Sequence, residues 1–301
     1  TLGTFTSAFL VVPYLGLNWV FYIGAALNVA IGLAVYKIQV PDSYAPLQSK
    51  KHDKNSLVAT KEGLTILIAF GLLGLLAMLY ENAWTRALTM VFGTYVYAFA
   101  TMLTTFLLGL GAGSLLISSF IDKIKKPFKA FALLCSFIGI SIFITTPIIG
   151  RLPEFFLKIF SDSDASWQYI TFIEFFISFL IMLGPTMASG ACFPLASRLL
   201  LKNRNQVSIT VADVYSLNTF GCIIGSILAG FMLIPTLGTE KSILLGGALN
   251  LLLAAFLFLF FAAKEHVSFP RNVLPSIALT GLAVTGFFLL HSWNPLVMNS
   301  G

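Results

Sequence analysis

No Asp, Glu, Lys or Arg interrupts residues 1–36, 63–80, 87–121, 130–150, 175–197, 214–239, 242–263 or 272–301. Apolar stretches of this length leave few structural options. A helix crosses hydrocarbon with about 20 apolar residues. Any crossing segment must satisfy its backbone internally, which leaves helices or closed barrels. The stretches do not alternate with period two, as barrel strands do. The pattern therefore predicts an all-α, polytopic membrane helical bundle. Full spans are placed near 18–38, 64–86, 94–121, 128–150, 168–200, 206–236, 239–262 and 271–291, with residues 1–14 as the tail of a partial ninth. Several exceed the bilayer thickness, so tilts or kinks are expected. Composition agrees. Charged residues are 10% of the chain, against roughly 25% in soluble domains, and mean hydropathy is +0.91. A disordered chain, a disulfide scaffold and a free-standing soluble enzyme are excluded.

Orientation follows from Lys and Arg, because positive charge directs insertion. Fourteen of the 18 fall in alternate loops, around 37–61, 123–129, 198–204 and 264–271; Arg86, Arg151, Lys158 and Lys241 fall on the other side. The lysine-rich loops are therefore assigned to the cytoplasmic side of a bacterial-type inner (plasma) membrane, and His291–Gly301 to the outer side. The formal net charge of +6 is an orientation signal, and no nucleic-acid partner is inferred from it. The lipid bilayer is the partner that composition demands. Trp19, Trp84, Trp167 and Trp293 fall near the outer interface, as an aromatic belt would. Cys135, Cys192 and Cys222 lie inside spans without metal-ligand spacing and read as core packing.

The sequence resembles itself at an offset of 222. Gly3 aligns with Gly225, Phe9 with Phe231, Pro13 with Pro235, Gly16 with Gly238, Gly24 with Gly246, and Ala26-Leu27-Asn28 with Ala248-Leu249-Asn250. Shared hydrophobicity alone does not match glycine, proline and asparagine. The repeat predicts two parallel six-span halves. Residues 1–38 would be the last hairpin of a first half that starts about 160 residues before Thr1, in the register of such parallel repeats. Residues 39–62 would be a cytoplasmic linker, 63–263 a complete second half, and 264–301 an additional span with an outer tail.

At 118–127 the chain reads Ser-Ser-Phe-Ile-Asp-Lys-Ile-Lys-Lys-Pro. This resembles, in degenerate form, the loop motif of the major facilitator superfamily, through Ser118 (serine for the usual glycine), Asp122, Lys123, Lys125 and Lys126. The resemblance implies a gating loop; the same residues also read as an ordinary positive-inside loop. Longer stretches carry a second resemblance. They are Tyr80-Glu81-Asn82-Ala83-Trp84-Thr85-Arg86, Val91-Phe92-Gly93-Thr94-Tyr95 and Gly109-Leu110-Gly111-Ala112-Gly113-Ser114. To these are added Asn218-Thr219-Phe220-Gly221, with Gly225, Gly230, Pro235 and Gly238, and Trp293-Asn294-Pro295 with Met298-Asn299-Ser300-Gly301. Together they resemble the membrane region of fused major-facilitator/spermidine-synthase-like proteins over nearly the whole chain. The resemblance implies facilitator-like architecture and a soluble, aminopropyltransferase-like domain after the Trp-Asp-Pro junction, where this chain has Asn294. An outer C-terminus would place that domain away from cytosolic adenosyl cofactor, so the two expectations pull against each other.

No catalytic residue, cofactor site or metal site can be carried over. The chain has no glycine-rich loop after a strand and no acidic pair for a polyamine or an adenosyl ribose. Gly109, Gly111 and Gly113 sit in an apolar helix, where small residues let helices approach closely. Three functions stay open. One is solute transport of a polyamine-like cation, one a structural subunit or anchor in a larger membrane complex, and one the membrane part of an aminopropyltransferase. The partners would then be a transferase-like domain or membrane-complex subunits.

Ionisable groups inside spans are the default functional candidates, because burying a charge in lipid is costly. Glu81 and Arg86 lie near the outer end of one helix, about 140° apart at five residues' spacing, so a cross-helix ion pair is expected. Glu174 lies about six residues into its span from the outer side, and Asp213 about eight residues, or 12 Å, from the cytoplasmic end. These four are the candidate solute or proton contacts. Gly184, Pro185 and Pro194 mark a helix kink that reads either as a cavity lining or as plain packing. Asn28 and Asn250 are expected to hydrogen-bond between helices.

Overall fold

The computed structural model describes residues 2–37, 60–93, 95–160, 166–201, 207–262, 269–290 and 293–294. Among them every regular element is helical, and no strand occurs. The α-helices are α1 (Leu2–Thr6), α2 (Val12–Leu15), α3 (Leu17–Lys37), α4 (Lys61–Phe92), α5 (Tyr95–Phe120), α6 (Pro127–Phe160), α7 (Trp167–Leu200), α8 (Val207–Leu228), α9 (Ile234–Leu237), α10 (Thr239–Ala262) and α11 (Phe269–Leu289). Seven helical segments are long and apolar enough to cross a membrane: Leu17–Ala34, Lys61–Phe92, Val96–Lys123, Pro127–Phe160, Gln168–Leu200, Thr210–Leu237 and Thr239–Phe261. The expected spans 18–38, 94–121, 168–200, 206–236 and 239–262 match helix ends to within a residue or two.

Three expectations need adjustment. The span expected to stop at 86 continues to Phe92, because Arg86 lies on the exposed side while Ala87 and Leu88 remain in the core. The span expected to stop at 150 continues to Phe160, past Arg151 and through Pro153. At 1.5 Å per residue its 34 residues extend about 51 Å, well beyond a hydrocarbon core of about 30 Å. Leu152, Pro153 and Phe156 stay buried and carry the extension on one face. The expected eighth span, 271–291, coincides with α11. Its apolar part, Val273–Leu289, is about 25 Å long, short of a full crossing. Most of the expected linker lies outside the described residues. Lys61 and Glu62, placed at its end, belong to α4, whose first turn is capped by the Thr60 side chain accepting from Gly63 N at 3.1 Å.

The bundle is built from paired helices. α4 lies along α8, α5 along α7, and α10 along α6, α11 and α4. Glycines decide how closely they approach. On α4 and α8, Gly71, Gly74, Gly221 and Gly225 sit where an added Cβ would strike the facing helix. Gly109 and Gly113 of α5 and Gly190 of α7 do the same at the α5–α7 contact, whereas Gly111 faces open space. This is close packing through small residues. Helix α7 is continuous through Pro185 and Pro194. Near Pro185, hydroxyls engage the backbone: Thr186 Oγ1 donates to the Met182 and Leu183 carbonyls at 2.9 Å, and Ser189 Oγ to Pro185 O at 3.0 Å.

The 222-residue repeat has a backbone counterpart. A π-helical turn occupies Ser7–Val11 and another occupies Ala229–Leu233. Each is followed by a four-residue helix with proline second, Pro13 or Pro235. Each hairpin then turns on a glycine with positive φ, Gly16 (86°) or Gly238 (83°). Proline has no N–H and crowds the preceding turn, and a π turn absorbs such a misfit. A residue with a Cβ would be strained at either glycine.

Candidate functional site

Most buried polar side chains in this bundle are Thr and Ser; the buried Asn250 and Glu240 stand out, and both lie on α10. The cluster around Asn250 begins on α4. Tyr80, Ala83, Trp84, Ala87 and Leu88 recur at helical spacing and are all buried, so this face of α4 turns inward. Asn250 of α10 is 0% exposed, and its Nδ2 donates to Tyr80 Oη at 2.6 Å. Gly246, one turn earlier, makes room: a Cβ there would come within 2.6 Å of the Tyr80 ring. Tyr80 stacks on Trp84 with ring centroids 5.5 Å apart. Trp84 Nε1 and Asn250 Oδ1 are buried with no hydrogen-bond partner among the described residues. The expected inter-helix bond of Asn250 is therefore formed. Its repeat partner Asn28 instead donates to Gly24 O of its own helix, at 3.0 Å.

The second cluster joins α10, α6 and the segment after α11. Glu240, in the first turn of α10, is buried, and its carboxylate accepts from the backbone N–H of Trp293 at 3.2 Å. The Trp293 indole N–H donates to Thr146 O of α6 at 2.8 Å, in space left by Gly150. Trp293 and Trp84 are only 8% and 1% exposed. These two tryptophans thus fill the core and are not part of an interfacial belt. Trp19 is exposed as a belt would require, and the Trp167 side chain lies outside the described set. Tyr80, Glu240 and Thr146 were not anticipated. Tyr80 was visible only as a member of a motif, and nothing in the spacing of Glu240, Thr146 and Trp293 announces that they meet.

The four ionisable candidates are dispersed. Glu81 flanks the inward face of α4 and is half-buried; Arg86, half a turn round and further along, is exposed. Glu81 and Arg86 form no ion pair with each other or with any other described residue. The cross-helix pair is not formed because Arg86 points away from the packed faces. Glu174 is half-buried on α7 beside Phe175, whose ring meets Phe5 and Phe9 at 5.3 and 5.1 Å. Asp213 is half-buried on α8. Helices α4, α7 and α8 touch one another pairwise, but the carboxylates are at different depths. Glu81 is about 17 Å from the end of α4 and Glu174 about 10 Å from the start of α7, at the same end of the bundle. Gly221 packs on Gly71 and Gly225 on Leu75, so α4 and α8 run parallel. In that register Asp213 is level with residue 63, about 27 Å below Glu81. The fold thus holds Glu81 and Glu174 towards one end and Asp213 towards the other.

The gating-loop residues Asp122, Lys123, Lys125 and Lys126 are all exposed. Asp122 and Lys123 sit in the 3-10 turn Ile121–Lys123, and the Lys123 ammonium lies 5.5 Å over the Phe120 ring. A Cβ added at Gly184 of the expected kink would meet only the tip of Phe137, at 4.0 Å. Cys135 of α6 and Cys192 of α7 are fully buried, and Cys222 is partly buried. No group of three or more potential metal ligands occurs among the described residues. Comparison with protein-family models, curated proteins and solved structures finds no match to this chain.

Proposed function

We propose that this chain is a non-enzymatic, multi-pass membrane domain of major-facilitator-like architecture, of the kind fused to spermidine-synthase-like domains, and that it moves a polyamine-like cation across the bilayer. In this reading the lysine-rich turns face the cytoplasm, α11 is an additional membrane segment and the C-terminal stretch is outside. The observation that carries the reading is the placement of half-buried carboxylates, Glu81 and Glu174 towards one end and Asp213 towards the other, on three mutually touching helices. Glu81 and Glu174 have no ion partner among the described residues. Carboxylates held in apolar surroundings attract a cation that can replace their lost hydration. Negative groups at two depths offer such a solute successive stations. Tracer uptake of spermidine into proteoliposomes tests this. Uptake that collapses in Glu174→Gln and Asp213→Asn is expected; equal uptake by both variants, or none by the unaltered protein, rejects the transport reading.

A second reading, a structural subunit or anchor in a larger membrane complex, draws on a different feature. No residue of Leu17–Ala34 is buried, so one whole membrane helix stands without a packing partner among the described residues. An absence of uptake together with retention in a membrane complex favours this reading.

A further inference from the structure

In the hairpin α1–α3 the first limb meets Tyr97 and Phe175 through Phe5 and Phe9, while α3 has no partner outside the hairpin among the described residues. The hairpin has a packed copy in the same molecule, which shows what such a hairpin packs against. In the 222-residue register α1–α3 corresponds to α8–α10. The shared π turn, proline and positive-φ glycine give both hairpins the same corner. In α8–α10, Gly225, Gly246 and Asn250 lean on one helix, α4, while Gly247 and Leu251 lean on Ile142 and Gly139 of α6. A Cβ on Gly225 would strike the Leu75 backbone, and one on Gly246 would strike Leu79 and Tyr80. Asn250 bonds to Tyr80. The counterparts are Gly3, Gly24 and Asn28. Gly3 and Gly24 have nothing within 4 Å of an added Cβ, and the Asn28 amide falls back on its own helix.

The rest of α3 follows the same rule. Ile243, Leu244, Leu251 and Ala254 are buried in α10, whereas Phe21, Tyr22 and Val29, counterparts of the first three, are about two-thirds exposed, and Gly32, counterpart of Ala254, is open. Leu249 of α10 faces outward, and its counterpart is Leu27. Lipid explains exposed leucines and phenylalanines. It does not account for a Gly-x-x-x-Asn-x-x-x-Gly seam, since open glycines and a polar amide gain nothing from acyl chains, whereas they permit close helix contact and an inter-helix hydrogen bond.

We infer that α1–α3 is the seat of a membrane-spanning partner helix built like α4, which packs on Gly3 and Gly24 and presents a tyrosine-type hydroxyl to the Asn28 amide. A second copy of this chain does not supply it through α4, because the α4 face in question is already filled by Gly225, Gly246 and Asn250 of its own bundle. The inference concerns assembly and stands apart from the transport reading.

Site-specific photocrosslinking in the native membrane tests it. A benzophenone side chain replaces Asn28, Gly24 or Leu27 in turn in the protein expressed from its own gene, and adducts are sequenced by mass spectrometry. Adducts from positions 24 and 28 are expected on a membrane helix outside residues 2–289, beside a tyrosine, serine or threonine, while position 27 captures lipid. A further variant, Gly24→Leu, should reduce the protein adduct from position 28 to the background seen at position 27. No core residue lies on α3, so this change leaves the bundle folded. Lipid adducts alone from positions 24 and 28, adducts within residues 2–289, or a position-28 adduct unaffected by Gly24→Leu would overturn the inference.

Discussion

The bond between Asn250 and Tyr80 shows what a single polar residue does inside an apolar bundle. The Asn250 amide N–H donates to Tyr80 Oη. Tyr80→Phe removes that acceptor and leaves a buried donor unpaired, at a cost of about 1–3 kcal/mol. Unfolding in detergent should show the loss, and adding Asn250→Leu should return part of it, because an apolar pair has no donor to satisfy. Glu240 offers a complementary case. Its carboxylate holds the Trp293 backbone, and the indole holds α6. Trp293→Ala removes a buried ring and the indole's hydrogen bond to Thr146 O, which amounts to about 3–5 kcal/mol for a residue of this size. Limited proteolysis should then cut the chain beyond Leu289 much faster. Glu240→Gln retains an accepting oxygen and should keep the tail docked, whereas Glu240→Ala should release it.

Between elements, glycines matter more than the abundant phenylalanines and leucines. The α4–α8 contact is backbone against backbone at Gly71 and Gly221 and at Leu75 and Gly225, and Asn218 Nδ2 reaches Phe70 O across it at 3.2 Å. Gly221→Leu cannot be absorbed by a rotamer change, because the obstructing atom is a carbonyl. The variant should lose at least the 1–3 kcal/mol typical of overpacking, with folded yield by size-exclusion chromatography as the readout. Gly111→Leu, on the open side of α5, should be tolerated in the same assay. The proline-bearing π turns at Ser7–Val11 and Ala229–Leu233 belong to this scale too. They explain why Pro13 and Pro235 sit inside membrane segments without ending them.

For the molecule as a whole, the distribution of charge carries a topological prediction. Lys125 lies in the exposed turn before α6 and Lys241 in the first turn of α10. An impermeant maleimide should label Lys241→Cys from outside intact cells and Lys125→Cys only after permeabilisation, in a Cys222→Ser background. Labelling of both from one side would reject the orientation. The same distribution bears on function. Charge is scarce enough that each half-buried carboxylate is a conspicuous exception, which is why Glu81, Glu174 and Asp213 could be picked out from composition alone. Their placement towards opposite ends was legible as well, from their distances to the span ends; that α4, α7 and α8 touch one another was not, because it depends on which helix faces meet.

Helix type and most approximate ends were legible in the sequence, because a bilayer-length helix needs only a long run of apolar residues and no knowledge of its neighbours. The repeat was legible for a related reason: proline and glycine act on their own backbone, so Pro13 and Pro235, or Gly16 and Gly238, impose the same local geometry wherever they occur. The extension of α4 past Arg86 and of α6 past Arg151 was not legible, since a charge halts an apolar run without halting a helix whose other face stays packed. Nor could the sequence assign Trp84 and Trp293 to the core, join Glu240 to Trp293, or leave Glu81 and Arg86 without cross-helix partners among the described residues. Those outcomes depend on which face of one helix meets which face of another. In a chain apolar on nearly every side, that choice is made by glycine contacts and a few hydrogen bonds between residues more than fifty positions apart.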